Sequence, residues 1–392
     1  MIRPLGEALP DSTNSAGSVL VSRLSLVTFR SYPALEVEFP GGPQVVVGDN
    51  AAGKTNLVES MVVLGTGHSH RASLDGELIT WGADFTRLEA DVGAASGDAR
   101  LERLELVIAR TTAGGGRKKA LVNGVARRPG ALGVALPVVL FAPEDMQLIV
   151  GSPSGRRASI DTLVAGTVNT AAATMANYSR ALTQRNNLLK AVRDGLAAPD
   201  ELRFWDGVIV EDGAQIVDWR RDALASLAGP LASAHSEIAP EEPPLMMTYL
   251  SKETPGPDET TRDAIRRRLA ETAEKEQWNG QTLVGPHRDD VAFVSAGRDL
   301  SGFASRGQQR TAILAYKLAT LDLVRRTIGR PPLLLLDDVF SELDPSRRAH
   351  LVRRIGELPQ AFVTTTTADD LDPALVKAAT VWEVTPGKLS RA

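Results

Sequence analysis

Two kinds of hydrophobic pattern divide the first part of the chain into strands and a helix. The segment VSRLSLVTF, which starts at Val21, alternates apolar and polar side chains as a half-buried strand does, and LEVEF repeats this after a turn at residues 31–33. Residues 44–47 form a short, largely β-branched run that is typical of a strand buried on both faces. The run stops at Gly48, and the following TNLVESMVVLG has helical spacing. Residues 84–130 then predict further strands with glycine-rich turns.

The middle of the chain changes to helical spacing from about residue 151. Long stretches such as FWDGVIVEDGAQIVDWRRDALASLAGPLASAHSEI carry this pattern. Pro199, Pro230 and the proline-rich segment 240–244 are expected to interrupt the helices, because proline lacks the backbone N–H that a helix interior uses. No sustained heptad repeat is present, so a long coiled coil is not expected.

Strand patterns return after Gly285. DVAFV and DLSGF predict a hairpin around residues 296–298, and the apolar runs at 333–336 and 361–364 predict two more buried strands. We therefore expect an α/β fold in which two sequence halves form one head and a mostly helical lobe is inserted between them. The predicted segments are a disordered tail at 1–20, an N-terminal head half at 21–150, a helical lobe at 151–284 and a C-terminal head half at 285–392.

The composition narrows the possible chemistry. Hydrophobic residues make up 43% of the 392, which is enough for a buried core. The chain has no cysteine, which excludes disulfides and thiolate catalysis, and its five histidines form no H-E-x-x-H pair, so a zinc enzyme is not expected. A net charge of -4 means that nucleic-acid binding would need local basic patches. No secretory signal and no bilayer-spanning apolar run of roughly 20 residues are evident, so we expect a cytoplasmic protein with no membrane partner.

The clearest motif is the phosphate loop, residues 48–55, with the sequence GDNAAGKT. It fits G-x-x-x-x-G-K-[ST] in full and lies between a predicted buried strand and a predicted helix, where backbone N–H groups and the helix N-terminus can face phosphates. Lys54 should reach the β and γ phosphates of a nucleotide, and Thr55 should ligate Mg²⁺. The expected nucleotide contacts from this segment are Gly48, Asn50, Gly53, Lys54, Thr55 and Asn56.

An acidic pair, Asp337 and Asp338, ends the apolar run LLLL at residues 333–336. A magnesium-dependent nucleotidase needs such a pair beside its phosphate loop, so Asp337 is expected to hold the metal and Asp338 to polarise the attacking water. A core strand that ends in two solvated acids would be the alternative if the phosphate loop were absent.

A third segment, SRGQQR at residues 305–310, opens a predicted helix and resembles the signature motif of ABC-type ATPases. In that class the signature serine and glycine touch the γ-phosphate held by the opposite subunit. The resemblance implies this role for Ser305, Gly307 and Gln308, whereas an ordinary helix-capping serine is the alternative. It also implies a subunit-contacting loop at Asp344 and a γ-phosphate contact at Thr365, where many ABC ATPases carry a histidine.

Several blocks along the chain are specific enough to resemble the RecF family within the ABC/SMC-like ATPase heads. The match covers about residues 22–385. SMC proteins insert a long coiled coil between the phosphate loop and the signature motif, and this chain is too short there to contain one. The matching blocks are residues 26–32 with their FR-x-Y element, GDNAAGKTNLVE, SHR followed by ELI, FAPEDMQLIVG, YSRALTQRNNLLK, GPHRDD, SRGQQRT and LDDVFSELD.

The resemblance implies an ATPase, slow and DNA-stimulated, that binds gapped or junction DNA as an ATP-dependent homodimer. The resemblance also implies a role in recombinational repair and in replication-fork restart, where the protein would help to load RecA together with RecR and RecO. By the same resemblance Arg30 lies beside the nucleotide, and Arg71 near the nucleotide or DNA, with a helix-end ion pair as the alternative. Either Asp145 or Gln147 would serve the metal or water. The basic residues Arg127 and Arg128 are candidate phosphate contacts, although a solvated face is the simplest reading of each cluster.

Two other functions fit a nucleotide-binding head. A transporter ATPase subunit would associate with a membrane partner and would not bind DNA. A scaffolding head would use ATP for assembly alone. The block-by-block match and the large helical middle favour the DNA-binding function over both.

Overall fold

A computed structural model describes residues 19–93, 101–111 and 115–392. Nearly all of the predicted tail at 1–20 lies outside the described residues. The described chain forms two compact units. The head unit contains the described residues up to 145, residues 234–240 and residues 313–392, and the helical unit contains residues 146–233 and 241–312.

The head unit contains two six-stranded sheets. The antiparallel sheet has the order β2-β1-β4-β5-β6-β7, and the other sheet has the order β15-β14-β3-β13-β12-β8. The second sheet is parallel except for β15, which pairs antiparallel with β14. The strands are β1 (Leu20–Phe29), β2 (Tyr32–Glu38), β3 (Gly42–Val47), β4 (Phe85–Gly93), β5 (Glu102–Arg110), β6 (Gly116–Val122), β7 (Val125–Arg127), β8 (Val138–Phe141), β12 (Leu333–Asp337), β13 (Gln360–Thr365), β14 (Thr380–Thr385) and β15 (Lys388–Arg391).

Helix α1 (Lys54–Thr66) lies in the core that the two sheets share. Its side chains Leu57 and Met61 belong to the same buried cluster as Leu26 of β1, Leu88 of β4 and Phe362 of β13, and all five are 0% exposed. Each such side chain contributes about 1.5–3 kcal/mol by leaving water. The start of α1, which carries the phosphate loop, is thereby fixed against both sheets.

Helices dominate the helical unit, which also holds a three-stranded sheet of order β11-β10-β9. That sheet consists of β9 (Leu245–Leu250), β10 (Asp290–Ser295) and β11 (Arg298–Asp299). The remaining helices of the described chain are α2 (Leu132–Ala135), α3 (Gln147–Val150), α4 (Pro153–Thr167), α5 (Ala171–Arg193), α6 (Arg203–Ile238), α7 (Thr261–Asn279), α8 (Leu300–Phe303), α9 (Arg306–Ile328), α10 (Pro345–Gly356) and α11 (Pro373–Ala378). Of these, α6 and α9 contribute residues to both units, and α2, α10 and α11 belong to the head unit.

One expectation about the helices is wrong. Pro230 does not interrupt a helix, because α6 continues through it from Arg203 to Ile238. A proline in a helix interior costs about 3 kcal/mol. The neighbouring side chains Leu227 and Leu231 are almost completely buried, and their burial offsets that cost. The predicted hairpin is present, with Val294 paired to Asp299, but its second strand is only two residues long and passes directly into α8.

Candidate nucleotide-binding site

The phosphate loop connects β3 to α1 and follows a backbone path that only certain residues can take. Gly53, at the N-terminus of α1, has φ 120°, and Ala51 has φ 65°. A Cβ on Gly48 would lie 2.5 Å from the carbonyl oxygen of Val384 in β14, so the loop can leave β3 here only with a glycine. The first turn of α1 carries no acidic residue, so the positive end of the helix faces the loop unopposed.

Lys54 lies with its ammonium group turned back onto the phosphate loop. Its Nζ donates hydrogen bonds to the carbonyl oxygens of Gly48 at 2.6 Å and Asp49 at 2.9 Å. The residue is only 8% exposed. The loop therefore holds a nearly buried cation at the end of β3, where an anionic group would find it.

The acidic pair lies next to the phosphate loop. The Thr55 hydroxyl donates to Oδ1 of Asp337 at 3.2 Å, although the two residues are 282 positions apart in sequence. The hydroxyl of Thr364 donates to the same oxygen at 2.6 Å and accepts a hydrogen bond from the backbone N–H of Asp338 at 3.0 Å. β13 lies between β3 and β12, so its end necessarily meets both the loop and the acidic pair. Oxygen donors of this kind fit a hard cation such as Mg²⁺.

The two aspartates differ in their surroundings. Asp337 is 3% exposed and is the last residue of β12. Asp338 is half-buried and has a left-handed backbone with φ 51°. Aspartate and asparagine adopt this conformation more readily than other non-glycine residues. The chain therefore turns sharply between the two carboxylates and directs them differently.

An ion pair connects Glu59 of α1 to Arg30, which lies in the turn between β1 and β2. Arg30 donates two hydrogen bonds to the carboxylate of Glu59, at 2.9 and 2.7 Å, and Ser69 donates a third at 2.5 Å. Burial of Glu59, which is 0% exposed, would raise its pKa, but the hydrogen bonds from Arg30 and Ser69 outweigh burial and leave the pKa below its usual value. Glu59 is thus charged and fixes the direction of the Arg30 side chain.

Several other predicted site residues have specific partners in the head unit. Asn56 donates to the Ser31 hydroxyl at 2.8 Å, and Thr365 donates to the carbonyl oxygen of Thr367 at 3.0 Å. Asn50 is exposed on the loop. The threonine that contacts the acidic pair is Thr364, the neighbour of the predicted Thr365.

Two further predicted residues lie near a helix end or an acidic partner. Asp344 caps α10 by accepting a hydrogen bond from the backbone N–H of Arg347 at 3.0 Å. The guanidinium of Arg71 is 3.8 Å from the carboxylate of Glu144, an exposed pair of the kind that contributes little to stability. Arg71 lies five residues beyond Thr66, the last residue of α1, so this arginine–acid pair is not at a helix end.

The signature segment belongs to the helical unit and opens α9. Ser305 and Gln308 cap the helix reciprocally: the Ser305 hydroxyl accepts from the Gln308 N–H at 3.2 Å, and the Gln308 side chain accepts from the Ser305 N–H at 3.0 Å. Both residues are exposed, and Gly307 is half-buried. The segment therefore presents a capped helix N-terminus to solvent, a surface that favours anions.

The remaining candidates divide between the units. Asp145 is already engaged, since its carboxylate contacts Lys317 Nζ at 2.6 Å and accepts from the Ala142 N–H at 2.8 Å. Gln147 is exposed at the start of α3 in the helical unit. Arg127 and Arg128 are exposed at β7, the edge strand of the antiparallel sheet.

A model of the RecF/RecN/SMC N terminal domain matches residues 20–387 of the chain. RecF of Symbiobacterium thermophilum is 43% identical over 360 residues, which cover 90% of this chain and 92% of that protein. RecF of Bacillus subtilis is 36% identical over 374 residues, which cover 94% of this chain and 99% of that protein. The chain belongs to the RecF family.

Solved RecF structures share the architecture described above. A structure of the recombination mediator protein RecF-ATP in the RecFOR pathway superimposes with a TM-score of 0.86 at 28% identity, over 97% of this chain and 100% of that chain. The RecF-ATPrS structure superimposes with a TM-score of 0.85 at 28% identity, over 96% of this chain and 98% of that chain. An Smc head domain from Pyrococcus furiosus superimposes with a TM-score of 0.52 at 16% identity, over 95% of this chain and 96% of that chain. At this identity the similarity shows only that the two chains share a fold. The predicted α/β ATPase-head fold and the RecF resemblance are confirmed.

Sequence reasoning missed two residues of this RecF-family site. Thr364 ends a buried strand, and a signal existed, because the carboxyl ends of neighbouring parallel strands meet at one edge of a sheet. Glu59 is a carboxylate in a helix that is otherwise almost entirely buried, five residues after Lys54. A charged residue in such a position must have a partner, and Arg30 is that partner.

Among the described residues, no helix combines the length and apolar character needed to span a bilayer. The same residues contain no cluster of three or more histidine or carboxylate side chains that could hold a metal ion by itself. A cation at Thr55 and Asp337 would therefore need further ligands from phosphate oxygens and water, as Mg²⁺ commonly does.

Proposed function

We propose that the protein is an ATP-hydrolysing, DNA-binding member of the RecF family that acts in DNA repair. The observation that carries the proposal is the hydrogen bond between Thr55 and Asp337, which brings the phosphate loop and the acidic pair to one place. The names of the relatives support the biological role, since they are called DNA replication and repair proteins.

ATP binding would begin at the phosphate loop. Lys54 would exchange the carbonyl oxygens of Gly48 and Asp49 for the β and γ phosphates, which attract it more strongly because they are charged. Gly53 and the N-terminus of α1 would add backbone N–H donors. Arg30, whose guanidinium is held by Glu59, would face the nucleotide.

Thr55 and Asp337 would hold Mg²⁺, which when bound neutralises charge on the β and γ phosphates. Asp338 would act as the general base: its carboxylate accepts a proton from the water whose oxygen attacks the γ phosphorus, and the bond to the bridging oxygen of ADP breaks. Thr364 supports this division of roles, since its hydroxyl is bonded to Asp337 and to the backbone N–H of Asp338.

A second copy of the chain would complete the site. Ser305, Gly307 and Gln308 stand at an exposed helix N-terminus, and the γ-phosphate held by a partner's Lys54 is an anion of suitable charge for it. ATP would then join two subunits and hydrolysis would separate them. Asp344, at the start of α10, is our candidate for contact with the partner.

DNA is the proposed partner of the ATP-joined pair. We infer a preference for gapped or junction DNA, with RecR and RecO as further partners and loading of RecA as the outcome. The structures of RecF in the RecFOR pathway support these partners for the family. Arg71, Arg127 and Arg128 are exposed or half-exposed cations that could contact DNA phosphates.

A salt-dependent DNA titration tests this function. We expect DNA affinity to be higher with ATP than with ADP, and the logarithm of the affinity to fall linearly with the logarithm of salt concentration as phosphate contacts are screened. Lys54→Ala should remove the ATP dependence, whereas Lys388→Ala, a change of an exposed lysine on β15, should keep it. Absence of DNA binding with either nucleotide would contradict the proposal and favour a scaffolding or transporter role.

A further inference from the structure

Trp81 is 98% exposed, although tryptophan has one of the largest apolar surfaces of any side chain. It lies on a turn of the head unit whose backbone is firmly bonded. The Thr80 N–H donates to the carbonyl oxygen of Thr28 at 2.9 Å, and the Thr80 hydroxyl donates to the carbonyl oxygen of Arg30 at 2.9 Å. The Ala83 N–H donates to the carbonyl oxygen of Thr80 at 3.0 Å and so closes the turn. The indole is therefore presented to solvent by a fixed support.

The surroundings of this turn are aromatic and basic. Arg110 at the end of β5 donates from Nε to the carbonyl oxygen of Ala83 at 3.2 Å, so its guanidinium lies against the turn. Phe85, which is 43% exposed, pairs with Ala109, and Ala109 pairs with Arg117 on β6. Lys119 follows two residues later and shares the outer face of the sheet with Phe85 and Arg117. Arg110 is the last residue of β5 and has the opposite strand alternation, so it belongs to this surface only through its hydrogen bond to the turn. We call Trp81, Phe85, Arg110, Arg117 and Lys119 the Trp81 face.

The charges of the outer sheet face are distributed unequally. Away from the Trp81 face, acids and bases neutralise each other, as in Arg23 with Glu36 and Arg103 with Glu89, both at 2.8 Å. Within the described part of the chain, Arg110, Arg117 and Lys119 form no ion pair. These three cations outnumber the exposed carboxylate of Asp84 in the same turn. The Trp81 face thus keeps uncompensated positive charge beside an exposed aromatic ring.

A flat aromatic ring beside unpaired cations is complementary to a nucleic-acid strand with an unstacked base. The cations suit phosphates, and the indole suits the face of a base that has lost its neighbour. A blunt duplex offers no free base face of this kind along its length. A protein partner would more often need an apolar patch with matched polar groups than three unpaired cations.

We propose that the Trp81 face binds the single strand where it leaves a duplex. The indole of Trp81 stacks on the first unpaired base, and Arg110, Arg117 and Lys119 contact the phosphates on either side. This inference rests on the proposed DNA-binding function and assigns its preference for junctions to one residue.

The test compares two labelled DNAs, a blunt duplex and the same duplex with an oligothymidine extension, by fluorescence anisotropy with the full chain and ATP. Trp81→Ala should weaken binding to the extended duplex by about five- to 140-fold, the range expected for one stacked base. Binding to the blunt duplex should be unchanged. Trp81→Phe should restore most of the loss because it retains an aromatic face.

The matched control is Trp278→Ala, which removes another exposed tryptophan, 79% exposed on α7 in the helical unit; it should leave both affinities unchanged. A second variant, Arg117→Ser, should weaken binding to the extended duplex more than to the blunt duplex, and it should reduce the salt dependence on the extended duplex by about one phosphate contact. It tests the same face if Trp81→Ala fails to fold.

The outcomes separate the inference from the proposed function. If the unaltered protein binds DNA and Trp81→Ala binds the extended duplex equally well, the inference is overturned and the proposed function stands. The same holds if Trp81→Ala weakens both DNAs equally, or if Trp81→Phe restores nothing, because neither result is compatible with stacking. If the unaltered protein binds neither DNA, the proposed function itself is overturned.

Discussion

The backbone of Asp338 shows how a single residue can direct chemistry. Its φ of 51° turns the chain immediately after β12, so that neighbouring carboxylates take different positions. Asp337 receives the hydroxyls of Thr55 and Thr364, which leaves it suited to a metal rather than to proton transfer. Left-handed backbone in a non-glycine residue is often found at functional sites, and here it coincides with the residue expected to act as the base.

Asp338→Asn should abolish ATP turnover while preserving ATP binding. The amide cannot accept the proton from the attacking water, and loss of a general base typically costs about 100- to 10,000-fold in rate. Asparagine tolerates the left-handed conformation as well as aspartate does, so the thermal stability should be unchanged, and ATP-joined dimers should persist. Phosphate release and nucleotide binding would be measured in parallel; turnover at the original rate would refute the role of Asp338.

The sequence identifies the parts of the site that form contiguous motifs and misses those that depend on strand order. Lys54, Thr55 and Asp337 lie in such motifs. Thr364 does not, because its role follows from the position of β13 between β3 and β12, and a single sequence does not reveal which strands are neighbours.

At the scale of elements, the segment between α7 and β10 joins strand and helix through a tightly packed turn. Gly285 has φ 120°, and a Cβ there would lie 2.5 Å from the Tyr178 hydroxyl. That hydroxyl is 2.7 Å from Nδ1 of His287, whose Nε2 is 3.2 Å from the carbonyl oxygen of Thr282. A carbonyl only accepts, so Nε2 carries the proton and Nδ1 accepts from Tyr178. The imidazole is therefore neutral in this arrangement.

The helical unit should lose stability on mild acidification through His287. Burial lowers the pKa of His287 to about 4. The unfolded chain, with a histidine pKa of about 6.5, binds the proton more readily, so stability falls as pH decreases from about 6.5 to 4, by about 3 kcal/mol. His287→Gln should reduce this dependence. Denaturant unfolding followed across that pH range would measure it, and an identical pH slope in the variant would exclude His287 as the cause.

Helices and strands were predicted correctly where the local sequence pattern determines them. They were predicted wrongly where tertiary contacts determine them. The buried strands β3 and β12 were evident from their apolar runs. The continuity of α6 through Pro230 was not, because the burial of Leu227 and Leu231 that sustains the helix is a property of the folded unit.

At the scale of the whole molecule, the predicted chemistry is divided between two units. The phosphate loop and the acidic pair belong to the head unit, and Ser305, Gly307 and Gln308 belong to the helical unit. Because those three residues are partly or fully exposed, they are accessible to a nucleotide bound by another copy. ATP-dependent association would then be a property of the pair of chains.

Ser305→Arg should abolish ATP-dependent dimerisation and leave the nucleotide affinity of the monomer largely intact. The bulky side chain would block approach of the partner's γ-phosphate, but it also removes a helix cap worth about 1 kcal/mol. Ser305→Asp retains a cap and repels the phosphate by charge, so it should give the same result. Light scattering in the presence of ATP would measure the dimer, and Ser179→Arg on α5 would be the control. If both Ser305 variants still form dimers with ATP, Ser305 does not contact the nucleotide held by the partner subunit.

The position of β3 has a consequence for biosynthesis. Its two neighbours in the sheet, β13 and β14, lie more than three hundred residues further along the chain. A ribosome therefore exposes the loop-bearing strand long before it has made either neighbour, and during that interval two unpaired edges of an apolar strand are open to wrong pairing. Nascent chains should become able to retain ATP only after β13 and β14 have emerged, which makes the interval before their synthesis the period in which chaperone protection matters most.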